Sequence, residues 1–287
     1  MKKKVNLFPY LLIAPSAIVI LLVLIIPIIY CFYVSLWKCN YMNFTEFLGF
    51  GNYVKFFSSK KYMASFNRTI YISFICTFLA LGLGVIFALW INKYKGILAY
   101  SIQLLVLIPW VTSQVVGTML WKWIFNEDLG LLNYAITSLG FEKVKLLSAP
   151  KTALVLLIFV TTWRIIGYAM VNLLAGLKSI PESIEEAAVV DGANSFQTLR
   201  YIRLPLIKTQ MLISGIMLTL SNLNNLTVPL TLTGGGPASA TSVITIDIYK
   251  LGFESYQFGL SSAISLILCF MTVILSIAYV KAVKYEI

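Results

Sequence analysis

Apolar residues run along this chain in long blocks, not at the spacing of two or of 3.6 residues that marks a half-buried strand or helix. Six blocks stand out, at residues 11–36, 69–91, 101–124, 151–174, 208–230 and 258–280. Each approaches or exceeds the roughly 20 residues with which a helix crosses about 30 Å of hydrocarbon. The pattern predicts an all-α, polytopic membrane protein with six transmembrane helices. The first block follows a basic start, as a secretory leader does, but it is too long for a leader core, contains Pro15 and Pro27, and lacks a small-residue cleavage pattern. It is expected to remain as the first crossing. Gly82 and Gly84 are available for close helix contact in the second block, and Pro109 is expected to break the third.

Between the blocks lie a mixed stretch at 37–67 with the interfacial aromatics Trp37, Tyr41 and Tyr53, a short turn at 92–96, and a polar segment at 126–150. A polar island follows at 178–205, with the grammar of two short helices and a break. Ser179 and Glu182 have capping-box spacing, with Pro181 tolerated in the first turn. Ile184, Ala187, Ala188 and Asp191 fall on one narrow face centred on two alanines, Gly192 is a helix stop, and Asn194 and Gln197 repeat the cap spacing. Phe196 and Leu199 supply an apolar edge, and Pro205 should close the second helix at Leu204. The island reads as a helical elbow on a membrane surface.

Composition agrees with the bilayer. The chain is 59% hydrophobic and 11% charged, more apolar than one soluble core of this length can hide. Its formal charge of +11 is spread singly over segment ends and forms no basic face, so it favours membrane anchoring over nucleic acid. There is no histidine, and Cys31, Cys39, Cys76 and Cys269 show no C-x-x-C spacing; neither a metal site nor a disulfide is expected. The triple glycine of LTLTGGGPASAT, residues 230–241, is not followed by the lysine of a phosphate-binding loop, so the chain is expected to bind no ATP or other cofactor.

Two groups of polar residues lie inside the blocks. Arg164 is the one charge deep within a crossing, and no carboxylate occurs at matching depth. It either lines a wet pathway or is tied to backbone carbonyls or a neighbouring subunit. The fifth block carries Ser221, Asn222, Asn224, Asn225 and Thr227, whose positions cannot all face one way on a helix. Amides and hydroxyls both donate and accept, which suits a polyhydroxylated solute, while interhelical hydrogen bonding is the plainer alternative.

The segment Glu186-Ala187-Ala188, Asp191-Gly192-Ala193 and Leu204-Pro205 resembles the EAA loop of permease subunits of bacterial ABC importers. GFGNYVKFF, residues 49–57, and LTGGGP with the aromatic-containing stretch at 248–253 resemble the first permease of carbohydrate importers of the maltose and glycerol-phosphate type. Leu199, where an aromatic is common, and Thr209, where a second proline is often found, depart from the pattern. The resemblance implies that the loop at 178–208 is a cytoplasmic coupling helix docked in an ATPase cleft, with Glu186, Ala187, Ala188, Asp191, Gly192, Ala193, Leu204 and Pro205 as its coupling residues. It implies a translocation path that includes Arg164, Asn222, Asn224, Asn225 and Thr227. The implied partners are a second permease, two ATPases that bind the ATP, an extracellular solute-binding lipoprotein and a sugar, in a bacterial cytoplasmic membrane.

The expected division is a first crossing with its extracellular loop at 1–66 and a transport domain at 67–287. Both termini, the short turn and the elbow are expected in the cytoplasm, which collects Lys2, Lys3, Lys4, Lys93, Lys95, Lys178, Arg200, Arg203, Lys208, Lys281 and Lys284 in short segments. The basic count alone hardly discriminates; the elbow is the stronger guide. Glycerol phosphate is the rival solute, since Arg164 suits a phosphate. An ion-coupled carrier would place carboxylates or histidines at mid-membrane, and the blocks offer none. A membrane enzyme would need an acid pair or metal set that is equally missing from them.

Overall fold

A computed structural model describes residues 8–94 and 96–284, with side chains for 11–94 and 96–281. Lys2, Lys3, Lys4 and Lys95 therefore lie outside the described residues, as does the Lys284 side chain. The helices in chain order are α1 (Phe8–Ile20), α2 (Ile26–Ser35), α3 (Gly51–Ser58), α4 (Lys60–Lys93), α5 (Ile97–Val111), α6 (Gln114–Ile124), α7 (Leu131–Ser138) and α8 (Pro150–Lys178). There follow α9 (Glu182–Val190), α10 (Ser195–Thr198), α11 (Leu204–Leu206), α12 (Lys208–Leu223), α13 (Thr227–Thr233), α14 (Ile244–Tyr249) and α15 (Phe258–Lys284). Five-residue π turns join α1 to α2, α10 to α11, and continue α14.

Among the described residues four helices are long and apolar enough to cross a membrane: Leu11–Ser35, Lys60–Lys93, Pro150–Lys178 and Phe258–Lys281. Two bent pairs bring the number to six, Ile97–Val111 with Gln114–Ile124 at 99° and Ser195–Leu206 with Lys208–Leu223 at 64°. The expected all-α, six-crossing architecture is therefore present, but two crossings are not simple rods. The third does not break at Pro109, which is buried inside α5; the chain leaves the helix at Thr112 and Ser113, both extended. An interior proline removes one N–H donor and crowds the preceding turn, yet α5 continues through Pro109 and the break falls at the turn that follows. The fifth is interrupted at 224–226 between α12 and α13, so the first residues of the glycine-rich stretch are helical.

The chain packs as two compact units. One holds the described residues up to Met63 together with Asp247–Phe270; the other holds Ala64–Ile246 and the described residues from Met271. In the first, β1 (Trp37–Asn40) and β2 (Asn43–Phe47) form an antiparallel hairpin that periodicity did not announce. Its turn residues Tyr41 and Met42 both take positive φ, 48° and 63°, as a two-residue hairpin turn demands. The aromatics expected at the lipid interface are used in packing: Tyr41 stacks on Tyr256, and the Tyr53 hydroxyl lies 2.7 Å from Ser35 Oγ. Asn52 is buried and donates to the carbonyls of Ser35 and Trp37, which closes the hairpin against α3.

In the second unit α8 is the central element. One cluster joins its middle to α4, α6 and α13 through Cys76, Ala80, Phe125, Leu157, Val160, Ala169, Val228 and Leu232. Another gathers Ala88, Ile91, Ala99, Met170, Leu173, Leu177 and Ile207 near the elbow. Backbones come very close where glycine allows it. A Cβ at Gly84 would lie 2.8 Å from Ala169 Cβ, and one at Gly167 would lie 2.7 Å from the Val106 carbonyl oxygen. Gly82, by contrast, faces open space.

Candidate functional site

The elbow begins where α8 ends. Ser179 Oγ donates to the Gly176 carbonyl at 2.8 Å, so it closes α8 and does not cap the next helix. Pro181, expected in the first turn, is the extended residue before α9 (φ −60°, ψ 133°). The hydroxyl is satisfied by the nearest free carbonyl, and α9 instead starts with Glu182 and Glu185 in its first turn, where the helix dipole favours them.

The helix stop falls at Gly192 as expected, at φ +79°. The amides of Gly192 and Ala193 return to the carbonyls of Val189 and Ala188, the closing pattern of a left-handed helix cap. The second cap also forms: Gln197 N donates to Asn194 Oδ1 at 2.9 Å, and Asn194 N donates to Gln197 Oε1 at 2.8 Å. Pro205 does not end the second helix at Leu204. The helix passes through a π turn at Leu199–Arg203, contains Pro205 in α11, and bends at Ile207. A π turn inserts a residue and leaves a backbone pairing unmade, so a residue without an N–H costs least just after it. Ile207 is itself buried, which anchors the bend in the core.

Glu186, Ala187, Asp191 and Gly192 are exposed, Ala193 and Leu204 are half-buried, Pro205 is exposed, and Ala188 alone on α9 is buried. The two alanines thus part company, Ala188 facing in and Ala187 out. Beside them Val189, Val190, Phe196 and Tyr201 are exposed, Val190 by 86%. Such apolar side chains in a polar island are a legible signal for a covered surface, yet of the four only Phe196 attracts notice in the sequence. Behind the elbow lies a cavity of about 870 Å³, walled by the ends of α4, α5 and α8 and by Glu185, Leu199 and Arg203. Arg203 spans its edge, donating to Glu185 through Nε at 2.8 Å and Nη2 at 2.7 Å. These bonds hold the Glu185 carboxyl below the ordinary carboxylate range, against the opposing effect of partial burial. The eighteen-residue separation hid this pair from any local reading.

The intramembrane polar residues are distributed over several places. Arg164 is half-buried in α8, with Nε shielded from solvent and no partner among the described residues. Asn222 is buried and donates to Thr77 Oγ1 at 3.3 Å, next to Thr219; its Oδ1 is unpartnered among the described residues. Asn224 is exposed and bonded to the Leu220 carbonyl of its own helix. Asn225 Oδ1 accepts from Gln114 Nε2 at 2.8 Å and from Val228 N at 3.2 Å, and its carbonyl accepts from Thr245. Asn225 therefore ties the break between α5 and α6 to the break between α12 and α13. Thr227 opens α13, half-buried. No hydrogen bond among the described residues joins Arg164 to this group. Gln114, present in the third block without an assigned partner, is the residue that sequence reasoning missed.

The glycine-rich stretch folds on itself. Gly234 and Gly235 take φ +62° and +91°, Thr233 and Thr241 hydroxyls lie 2.6 Å apart, and Thr241 donates to the Gly236 carbonyl.

Residues 80–283 match the family described as binding-protein-dependent transport system inner membrane component. The chain belongs to this family. It is a permease component of such a system, a multi-pass inner-membrane protein and not an enzyme. It is 31% identical to a trehalose/maltose transport system permease protein of Thermococcus litoralis, over 96% of this chain and 94% of the relative. A sulfoquinovosyl glycerol transport system permease protein of Agrobacterium fabrum is 28% identical over 97% and 91%. A sn-glycerol-3-phosphate transport system permease protein of Salmonella choleraesuis is 29% identical over 97% and 95%. The permease fold is shared with a crystal structure of a bacterial ABC transporter involved in the import of the acidic polysaccharide alginate. There the TM-score is 0.85 at 21% identity, over 97% of this chain and 95% of the other.

Proposed function

We propose that this permease is one half of the transmembrane core of an ATP-driven, binding-protein-dependent importer of a sugar or oligosaccharide. A second permease completes the core, two ATPases bind the nucleotide, and an extracellular binding protein delivers the solute. The observation that carries the reading is the elbow between α8 and α12, which presents Val189, Val190, Phe196 and Tyr201 to the outside around a glycine turn. In this reading Glu186, Ala187, Ala188, Asp191, Gly192, Ala193, Leu204 and Pro205 form the ATPase-coupling segment. The elbow and both termini face the cytoplasm, and the chain divides into 1–66 and a transport domain at 67–287. The path is lined by Arg164, Asn222, Asn224, Asn225 and Thr227, with Asn224 the amide most open to solute.

The sugar assignment rests on the kinship with the trehalose/maltose and sulfoquinovosyl glycerol permeases. Glycerol phosphate is the second reading, favoured by the unpartnered Arg164 Nε and by the glycerol-3-phosphate relative. The test is affinity purification of the tagged permease from its native membrane. A second six-span protein and an ATPase should accompany it, and vesicles holding the complex should take up one member of a sugar panel only with ATP. Uptake driven by a proton gradient without ATP, or external labelling of a cysteine placed at Val190, would refute the reading.

A further inference from the structure

α9 turns into α10 through Gly192 and Ala193, where a side chain on Gly192 would meet nothing within 4 Å. Of the nine residues of α9 only Ala188 is buried, and a methyl group transmits little force. Glu185 stands one turn before Ala188 on the same helix face. Its carboxylate takes two parallel hydrogen bonds from Arg203, at 2.8 and 2.7 Å, with both side chains 28% exposed. Paired N–H groups on two carboxylate oxygens fix orientation as well as distance. Arg203 ends the π turn, and four residues later Ile207 sets the 64° bend into α12. Behind the pair lies the cavity of about 870 Å³, so α9 has room to tilt if the pair is removed.

We propose that the Glu185–Arg203 pair is the strut that, together with the hydrogen-bonded Gly192 turn, carries a push on α9 to the base of α12. Both are positioning residues: neither touches solute, and each acts by holding α9 at a fixed angle to the helix that carries Asn222. Lys93, Lys178 and Glu182 line the same cavity, and among the described residues none of them is within ion-pair distance of the couple. The strut rests on the reading of the elbow as the ATPase contact.

The test uses the whole transporter reconstituted with its ATPase and binding protein. Glu185→Gln and Arg203→Gln should each keep ATP hydrolysis near the parental rate while solute taken up per ATP falls about tenfold, a coupling loss within the usual range between sites. The charge-swapped double variant, Glu185→Arg with Arg203→Glu, should restore most of that ratio, which ties the loss to the pair; a merely structural defect would instead lower the yield of assembled transporter and its ATP hydrolysis together with uptake. Single variants with an unchanged ratio overturn the strut, and so does a swap that stays uncoupled. Cross-linking of Val190→Cys to the ATPase separates the two ideas: its absence in an otherwise parental transporter overturns the elbow reading, and its persistence with an unchanged ratio in Glu185→Gln overturns the strut alone.

Discussion

Gly84→Ala is the sharpest test of how the bundle is packed, because Gly82 provides its control on the same helix. A Cβ on Gly84 would stand 2.8 Å from Ala169 Cβ and 3.2 Å from the Ala169 carbonyl carbon and Met170 nitrogen. Carbon atoms rest about 3.5–4.0 Å apart, so α4 and α8 must separate locally by roughly 1 Å. Two of the three obstacles are backbone, which cannot rotate away. Overpacking of this kind costs about 1–3 kcal/mol. Alanine recovers about 0.5–1 kcal/mol over glycine within a helix, leaving a net loss of up to about 2.5 kcal/mol, centred on about 1 kcal/mol. At Gly82 nothing lies within 4 Å, so only the helix gain remains and the sign reverses. The assay is thermal unfolding of the purified permease in detergent, followed by fluorescence-detected gel filtration. Gly84→Ala should melt lower than the parent and Gly82→Ala at or above it. Equal shifts for the two, or a stabilised Gly84→Ala, would refute the packing argument.

Gly192→Val should be inserted in the membrane normally but hydrolyse ATP without uptake, because φ +79° excludes a β-branched residue while no neighbour obstructs its side chain. Gly192→Asn, which tolerates that conformation, should retain uptake in the same vesicle assay. Asn225→Ala should lose about 1–2 kcal/mol in thermal unfolding by leaving Gln114 and the Val228 amide unpartnered, whereas Asn224→Ala should fall within about 0.5 kcal/mol and instead alter the solute KM. For pH the sign follows from the lowered carboxyl of Glu185: its tie to Arg203 contributes fully above the ordinary carboxylate range near pH 4.3 and is lost only as pH falls through the depressed folded value. The Glu185-dependent part of coupling, parent against Glu185→Gln, should therefore be flat from about pH 7 down to pH 5; a decline over that interval would contradict the ion pair.

What the chain announces by itself follows from the solvent it lives in. A bilayer forces helices and demands about 20 apolar residues for each, so blocks such as 151–174 and 258–280 are readable without any fold. Local backbone rules are equally readable, and the left-handed Gly192 and the Asn194–Gln197 cap appear where the residue types require them. Sequence failed where a local preference met a tertiary competitor. Ser179 found a carbonyl of α8, Pro205 was absorbed behind a π turn, and the break in the third crossing fell after Pro109. Among the amides of the fifth crossing, only the folded chain decides that Asn222 turns inward to Thr77, Asn224 outward, and Asn225 across to Gln114. The Glu185–Arg203 strut belongs to the same class. Partners eighteen or a hundred and eleven residues apart leave no period in the sequence, because their meeting depends on the π turn at Leu199–Arg203 and on the 99° break after Val111, which no local pattern encodes.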